Sequence, residues 1–141
     1  MSEANLRAMH SFFDLGNAHD VEGVAGMVHA DYIGESDVLS EPIVGRDAYR
    51  SLLVGFWAAF PDTSYNIEQM LAADDCIVTR LLLTGTHRGD FMGKQGTGRQ
   101  FSVRLCHVDQ WKDGKIKRAW YYWDTATLLR QLGISAQPSA V

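Results

Sequence analysis

An α+β fold is predicted, with helices first, a run of antiparallel strands next and one short helix to close. Three observations predict it. Apolar residues recur at helical spacing up to Phe60 and at a spacing of two from Thr63 onward. Pro61-Asp62 separates the two regimes. Lys112-Asp113-Gly114-Lys115 carries the Asp-Gly signal of a tight hairpin between two strand-like runs. Helices laid on the concave side of a curved antiparallel sheet leave a cone-shaped cavity, so this layout predicts a pocket.

The elements follow in order. Leu6, Met9, Phe12 and Phe13 give one apolar face to a helix over residues 4–15, and Gly16 stops it. Asp20 caps a shorter helix whose stripe is Val21, Val24, Met27 and Val28. Gly23 and Gly26 weaken that helix by ~1 kcal/mol each relative to Ala, so it relies on packing. Residues 29–38 (HADYIGESDV) are polar and irregular and form a short strand. Gly45 opens a long helix over residues 46–60, with Tyr49, Leu52, Leu53, Phe56, Ala59 and Phe60 at helical spacing and Trp57 widening the stripe.

In residues 63–72 the alternation places Tyr65, Ile67, Gln69 and Leu71 on one face, and Asp74-Asp75 makes a turn. Residues 76–87 are apolar on both faces apart from Arg80, the signature of a central strand. Four glycines in GDFMGKQGTG mark residues 89–98 as a loop. Residues 100–111 and 116–123 are the last two strands. Asp124 caps a helix over 125–132 that ends at Gly133.

With 141 residues, 46% hydrophobic and 11% aromatic, the chain is one domain with a real core. Residues 1–134 are assigned to it and 135–141 (SAQPSAV) to a loose tail. The net charge is −4. The longest basic cluster, Lys112, Lys115, Lys117 and Arg118, is interrupted by Asp113 and reads as a solvated hairpin face, so no nucleic-acid partner is expected. No apolar run spans a bilayer and no signal peptide opens the chain, so no membrane partner is expected. Cys76 and Cys106 lie far apart in apolar strands and read as buried free thiols of a reducing compartment, which places the chain in the cytoplasm.

Several residues could carry chemistry. The five histidines are scattered singly, and none has metal-ligand spacing, so no metal site is expected. His107 shares a strand face with Phe101, Val103 and Leu105; it is either a satisfied core histidine or a pocket donor. Asp124 is explained by capping, with catalysis an additional role. Tyr121 and Tyr122 point to opposite faces, so only one reaches a central cavity. Glu35 and Asp37 share a face; they are solvated carboxylates, or general bases if that face is the cavity. Phe13, Phe56, Trp57, Phe60, Leu105 and Trp123 are candidates for lining around a flat apolar ligand, set against ordinary core packing. No nucleophile motif, P-loop or dinucleotide fingerprint is present.

The run RLLLTGTHRGDFMGKQGTGRQFSVRLCHVDQWKDGKIKRAWYYWDTATLLRQLG, with VHADY near residue 30 and FWAAFPD at a helix end, resembles the SnoaL-like polyketide cyclases, or ester cyclases, of the NTF2-like superfamily. The pieces TGTH-x-G-x-FMG, DGKI and WDTATLLRQLG carry the resemblance together. It implies a cone-shaped α+β barrel with three N-terminal helices enclosing a deep apolar pocket. It also implies a homodimer through the convex sheet face, a small hydrophobic molecule as partner, and no metal or organic cofactor.

In such cyclases an intramolecular aldol condensation closes the last ring of a polyketide ester. An aspartate on the last strand acts as acid/base with help from a pocket histidine. His107 matches that histidine, whereas Tyr121 stands at the aspartate's position. A looser similarity to ketosteroid isomerases puts a base near Asp37 and an oxyanion donor at His107. The expected function is therefore a cofactor-independent enzyme that abstracts a proton next to a carbonyl and stabilises the enolate. Asp37, Glu35 or Asp124 would be the base, with His107 and Tyr121 as donors. The alternatives are a non-catalytic binder of a small hydrophobic ligand and a dimeric structural domain with a filled pocket.

Overall fold

A computed structural model of the chain describes residues 2–134; the tail expected over 135–141 lies outside the described residues. Among these residues there are four helices and six strands. They are α1 (Ser2–Asn17), α2 (Val21–Ala25), β1 (Val28–Ser36), β2 (Ile43–Val44), α3 (Arg46–Ala59), β3 (Ser64–Ala73), β4 (Cys76–Thr86), β5 (Gln100–Lys112), β6 (Lys115–Trp123) and α4 (Thr125–Leu132). The strands form one curved, open sheet in the order β2-β1-β6-β5-β4-β3. Every neighbouring pair is antiparallel except β1 and β6, which run parallel. That pair joins the two ends of the chain, so no hairpin constrains its direction.

Local chemistry sets the element ends. Asp20 accepts from the backbone N–H of Gly23 and caps α2, as its sequence position predicts. A Cβ on Gly23 would sit 2.5 Å from an Asp20 carboxylate oxygen, so the residue that weakens the helix also admits its cap. Asp113 (φ 54°) and Gly114 (φ 74°) both take positive φ, the requirement of a two-residue hairpin turn that keeps the twist of β5 and β6. Asp124 caps α4 through Thr127, and Gly133 ends it in the left-handed conformation.

The inner face of the sheet and α1, α3 and α4 share one core. On β4 it receives Ile77, Thr79, Leu81 and Leu83; on β5 it receives Phe101, Val103, Leu105, His107, Asp109 and Trp111, all buried. The alternation expected for β3 is corrected in its second half. A bulge between Ile67 and Gln69 slips the register against β4. Met70 joins Tyr65 and Ile67 against the core, while Gln69 and Leu71 turn to solvent. A one-residue slip exchanges the two faces of everything beyond it.

Cys76 and Cys106 are free and half-buried. The basic hairpin is neutralised locally: Lys117 pairs with Asp31, Arg118 with Glu35, and Lys115 donates to the Gly26 carbonyl. Among the described residues no helix is long and apolar enough to cross a membrane.

Candidate active site

The cavity lies between α3 and the inner face of the sheet, with a volume of about 200 Å³. Sheet register determines which side chains reach it. Thr79, His107, Tyr121 and Ser36 stand abreast on β4, β5, β6 and β1. The next row toward the mouth holds Leu81, Leu105 and Trp123. The row on the other side holds Ile77, Asp109, Ala119 and Gly34. The helices supply Tyr49, Leu52, Leu53 and Phe56 from α3 and Leu128 from α4. Val38, Leu39, Phe91 and Met92 complete the wall from two loops.

His107 is the basic group of this wall. Its Nδ1 lies 3.0 Å from a carboxylate oxygen of Asp109, and both side chains are buried, His107 at 6% exposure and Asp109 at 0%. The other oxygen of Asp109 has no partner among the described residues. A buried carboxylate needs a hydrogen-bonded partner, and His107 is the one it has. An ionised carboxylate only accepts, so Nδ1 donates in this bond, and Nε2 has no partner among the described residues. Rings hold the imidazole in place: Phe13 meets it edge-on at 5.3 Å between centroids, Phe12 lies at 6.3 Å, and Tyr121 at 4.3 Å.

Tyr121 is the neighbouring polar group. Its hydroxyl hydrogen-bonds the hydroxyl of Tyr32, which is fully buried. Gly34 admits this arrangement, since a Cβ there would come within 2.5 Å of the Tyr32 hydroxyl. When Tyr32 donates in that bond, the Tyr121 proton remains available to a ligand. Burial raises the Tyr121 phenol far above its ordinary value, so it stays protonated and works as a donor rather than a base.

Tyr49 and Tyr65 also line the cavity. Burial pushes the Tyr65 phenol up to about 12, against the opposing hydrogen bond from Trp57. Burial, then Tyr65, then Asp109 raise Tyr49.

These phenols set an alkaline limit to stability. Their folded pKa values exceed the ordinary value near 10, so the folded state binds more protons above pH ~10. Stability is complete below that pH and falls as pH rises through the folded values, at up to ~1.4 kcal/mol per pH unit for each phenol. Melting temperatures between pH 8 and pH 11.5 are expected to drop above about pH 10, with the absorbance of the buried phenolates, beyond that of exposed Tyr122, appearing together with unfolding. Full ionisation in a still-folded protein would contradict this.

The sequence candidates divide between the cavity and its surroundings. His107, Tyr121, Phe56, Leu105 and Trp123 line it. Asp37 is exposed and binds the backbone N–H of Trp123 and the hydroxyl of Thr125, tying the end of β6 to the loop after β1. Asp124 is exposed and spent on capping, and the Thr127 hydroxyl and N–H hold its carboxyl below the usual range. Glu35 is paired with Arg118 at 2.7 Å. None of these three carboxylates lines the cavity.

Phe13 supports His107 from behind the wall. Trp57 stacks flat on His19 at 4.8 Å and faces the turn between α1 and α2. Phe60 packs among Phe56, Phe91 and Phe101.

No sequence motif singles out Asp109, although the alternation that turns Leu105 and His107 inward turns Asp109 inward too. Nor does any mark Tyr32 on β1. Tyr49 stands on the apolar stripe of α3, and nothing local to it shows that its side chain meets a cavity. Among the described residues no three His, Cys, Asp or Glu side chains group closely enough to hold a metal ion.

Known proteins resemble this architecture along nearly the whole chain. Aklanonic acid methyl ester cyclase DnrD of Streptomyces peucetius is 27% identical over 91% of this chain and 88% of its own length. Aklanonic acid methyl ester cyclase AcmA of Streptomyces galilaeus is 28% identical over 94% and 92%. Among solved structures, AclR of Streptomyces galilaeus superposes with a TM-score of 0.83 at 26% identity, covering 94% of this chain and 98% of that one. A SnoaL-like protein from Jannaschia reaches 0.86 at 18% identity, over 97% and 95%, a likeness of fold alone. The family model of the SnoaL-like polyketide cyclases matches residues 4–132. With the open α+β cone, the apolar cavity and this match in agreement, the chain belongs to the SnoaL-like polyketide cyclase family.

Proposed function

We propose that the chain is an enzyme that removes a proton next to a carbonyl of a neutral, apolar, polyketide-like substrate and uses the enolate to close a ring. The observation that carries this reading is the buried His107–Asp109 pair, with His107 in the cavity wall and the Tyr121 phenol beside it.

Asp109 holds the Nδ1–H, so His107 Nε2 takes the α-proton as general base. Tyr121 donates to the oxygen on which negative charge develops. The enolate carbon then attacks a second carbonyl of the same molecule, forming the new C–C bond. The resulting alkoxide takes the proton back from His107, and no atom is gained or lost. This assigns the base to His107, in place of the carboxylates Asp37, Glu35 and Asp124. The apolar lining and the absence, among the described residues, of any lysine or arginine from the wall favour an uncharged substrate. The aklanonic acid methyl ester named for two relatives is a natural first substrate to try.

A second reading is a carrier of the same ligand class. It is favoured by Tyr121 standing at the family's aspartate position with its hydroxyl engaged by Tyr32. Deuterium exchange at the α-carbon of aklanonic acid methyl ester in heavy water, followed by NMR alongside product formation, separates the two. The enzyme reading expects exchange or cyclisation at least about a hundredfold faster than with His107→Gln. Ligand recovered unchanged and unexchanged would establish the carrier instead.

The outer face of the sheet, where Tyr122 is 55% exposed beside half-buried Val108 and Trp120, supports pairing of two copies there.

A further inference from the structure

Among the three phenols that line the cavity, two have partners in the protein. Tyr65 accepts from the Trp57 indole at 3.0 Å, and Tyr121 is bonded to Tyr32. Tyr49 has none among the described residues, although it is 4% exposed and its ring packs against Tyr32 at 4.9 Å between centroids. Its hydroxyl is not among the atoms sealed from any access. A buried hydroxyl is ordinarily hydrogen-bonded, so one left open toward a cavity marks a place for a ligand atom. The Tyr32 ring packs tilted against Tyr49 and its hydroxyl bonds Tyr121, so the cavity wall carries two phenol donors, Tyr49 and Tyr121, that can serve two ligand oxygens.

The chemistry of the base agrees. A neutral imidazole is matched to carbon acids far more acidic than a simple ketone, and a second carbonyl on the same carbon supplies that acidity. In an apolar cavity this second carbonyl needs its own donor.

We propose that Tyr49 is a specificity-determining residue whose hydroxyl donates to a second carbonyl oxygen of the substrate, so that the site selects 1,3-dicarbonyl compounds over monoketones. This rests on the reading of the cavity as a substrate site, and it requires binding, not turnover.

The test compares two bicyclic probes, α-tetralone and its methyl β-keto ester, titrated into the full chain and into Tyr49→Phe by tryptophan fluorescence and calorimetry. Wild type is expected to bind the keto ester about tenfold or more tighter, and Tyr49→Phe to reduce the ratio to about threefold or less. Ligand-free Tyr49→Phe is expected to melt at or above the wild-type temperature, because it loses no protein hydrogen bond.

Three results would overturn the assignment: no preference in wild type, a preference that survives in Tyr49→Phe, or a ligand-free variant that melts well below wild type. Alpha-proton exchange in the same samples keeps the two ideas apart. A Tyr49-dependent preference without exchange sinks proton abstraction and leaves this assignment standing. Exchange with an unchanged ratio sinks this assignment alone.

Discussion

Substitution of Asp109 by asparagine is expected to lower kcat by about a hundredfold or more while KM changes little. The carboxylate bonds His107 and does not itself line the cavity. Its effect runs through the imidazole: it fixes the tautomer with Nδ1 protonated and supports the charge that arrives when Nε2 takes a proton. An asparagine amide can present its NH₂ to Nδ1 and favour the tautomer whose Nε2 already carries a proton, which cannot act as base. His107→Gln removes the base and is expected to cost at least as much.

The same pair governs stability. His107→Leu leaves a buried carboxylate without a partner, a loss of about 3–5 kcal/mol. For a chain of this size that is a fall of roughly 10–20 °C in Tm. The double variant His107→Leu/Asp109→Leu removes both buried polar groups and is expected to recover most of that loss while remaining inactive. Calorimetry of the wild type and these two variants decides it. A double variant no more stable than His107→Leu would mean that the pair is not the coupled unit described here.

The second large effect is expected at Phe60. Its ring is fully buried and meets Phe56, Phe91 and Phe101 at 4.9 Å between centroids, with His87 at 5.6 Å. Phe60 thus joins the end of α3 to β5 and to the loop that contributes Phe91 and Met92 to the cavity mouth. Phe60→Ala removes a ring from a packed aromatic cluster and is expected to cost about 3–5 kcal/mol. Phe60→Leu, which keeps most of the volume, should cost less than half of that. Urea denaturation midpoints with an unchanged m-value are the measurement. Because Phe56 and Phe91 both line the cavity and both lean on Phe60, the alanine variant should also bind apolar ligands more weakly than its stability loss alone explains.

Short-range rules account for what was legible in the residues. Asp20 and Asp124 cap helices because a carboxylate two or three residues ahead of open N–H groups satisfies them wherever the helix sits. Asp113-Gly114 turns the hairpin because two positive φ angles are local requirements. Alternation along β5 turned His107 to the inner face, and the family motifs, read over the whole length, gave the cone. Continued two residues further, that alternation already contained Asp109.

Tertiary structure decided the rest, since it depends on partners distant in sequence. The bulge after Ile67 reversed the faces of Gln69 and Leu71, and nothing in the alternating sequence announces a register slip. In the sequence Asp37 is a candidate base because it shares a face with Glu35 and stands near the base position of the ketosteroid isomerases. The backbone of Trp123 and the hydroxyl of Thr125, 86 and 88 residues away, claim it instead. Tyr49 and Tyr65 carry the same phenol, yet only the approach of Trp57 gives one of them a partner and leaves the other open to the cavity. The sequence by itself determined most of the elements, the caps at Asp20, Asp124 and Gly133, and the wall on which His107 stands; β2 and the extents of α1 and α2 were decided by the fold. Which carboxylate reaches His107, and which hydroxyls remain free for a ligand, followed from the packing of α3 over the sheet, because hydrogen-bond satisfaction in a core is settled by whichever groups the fold brings within about 3 Å.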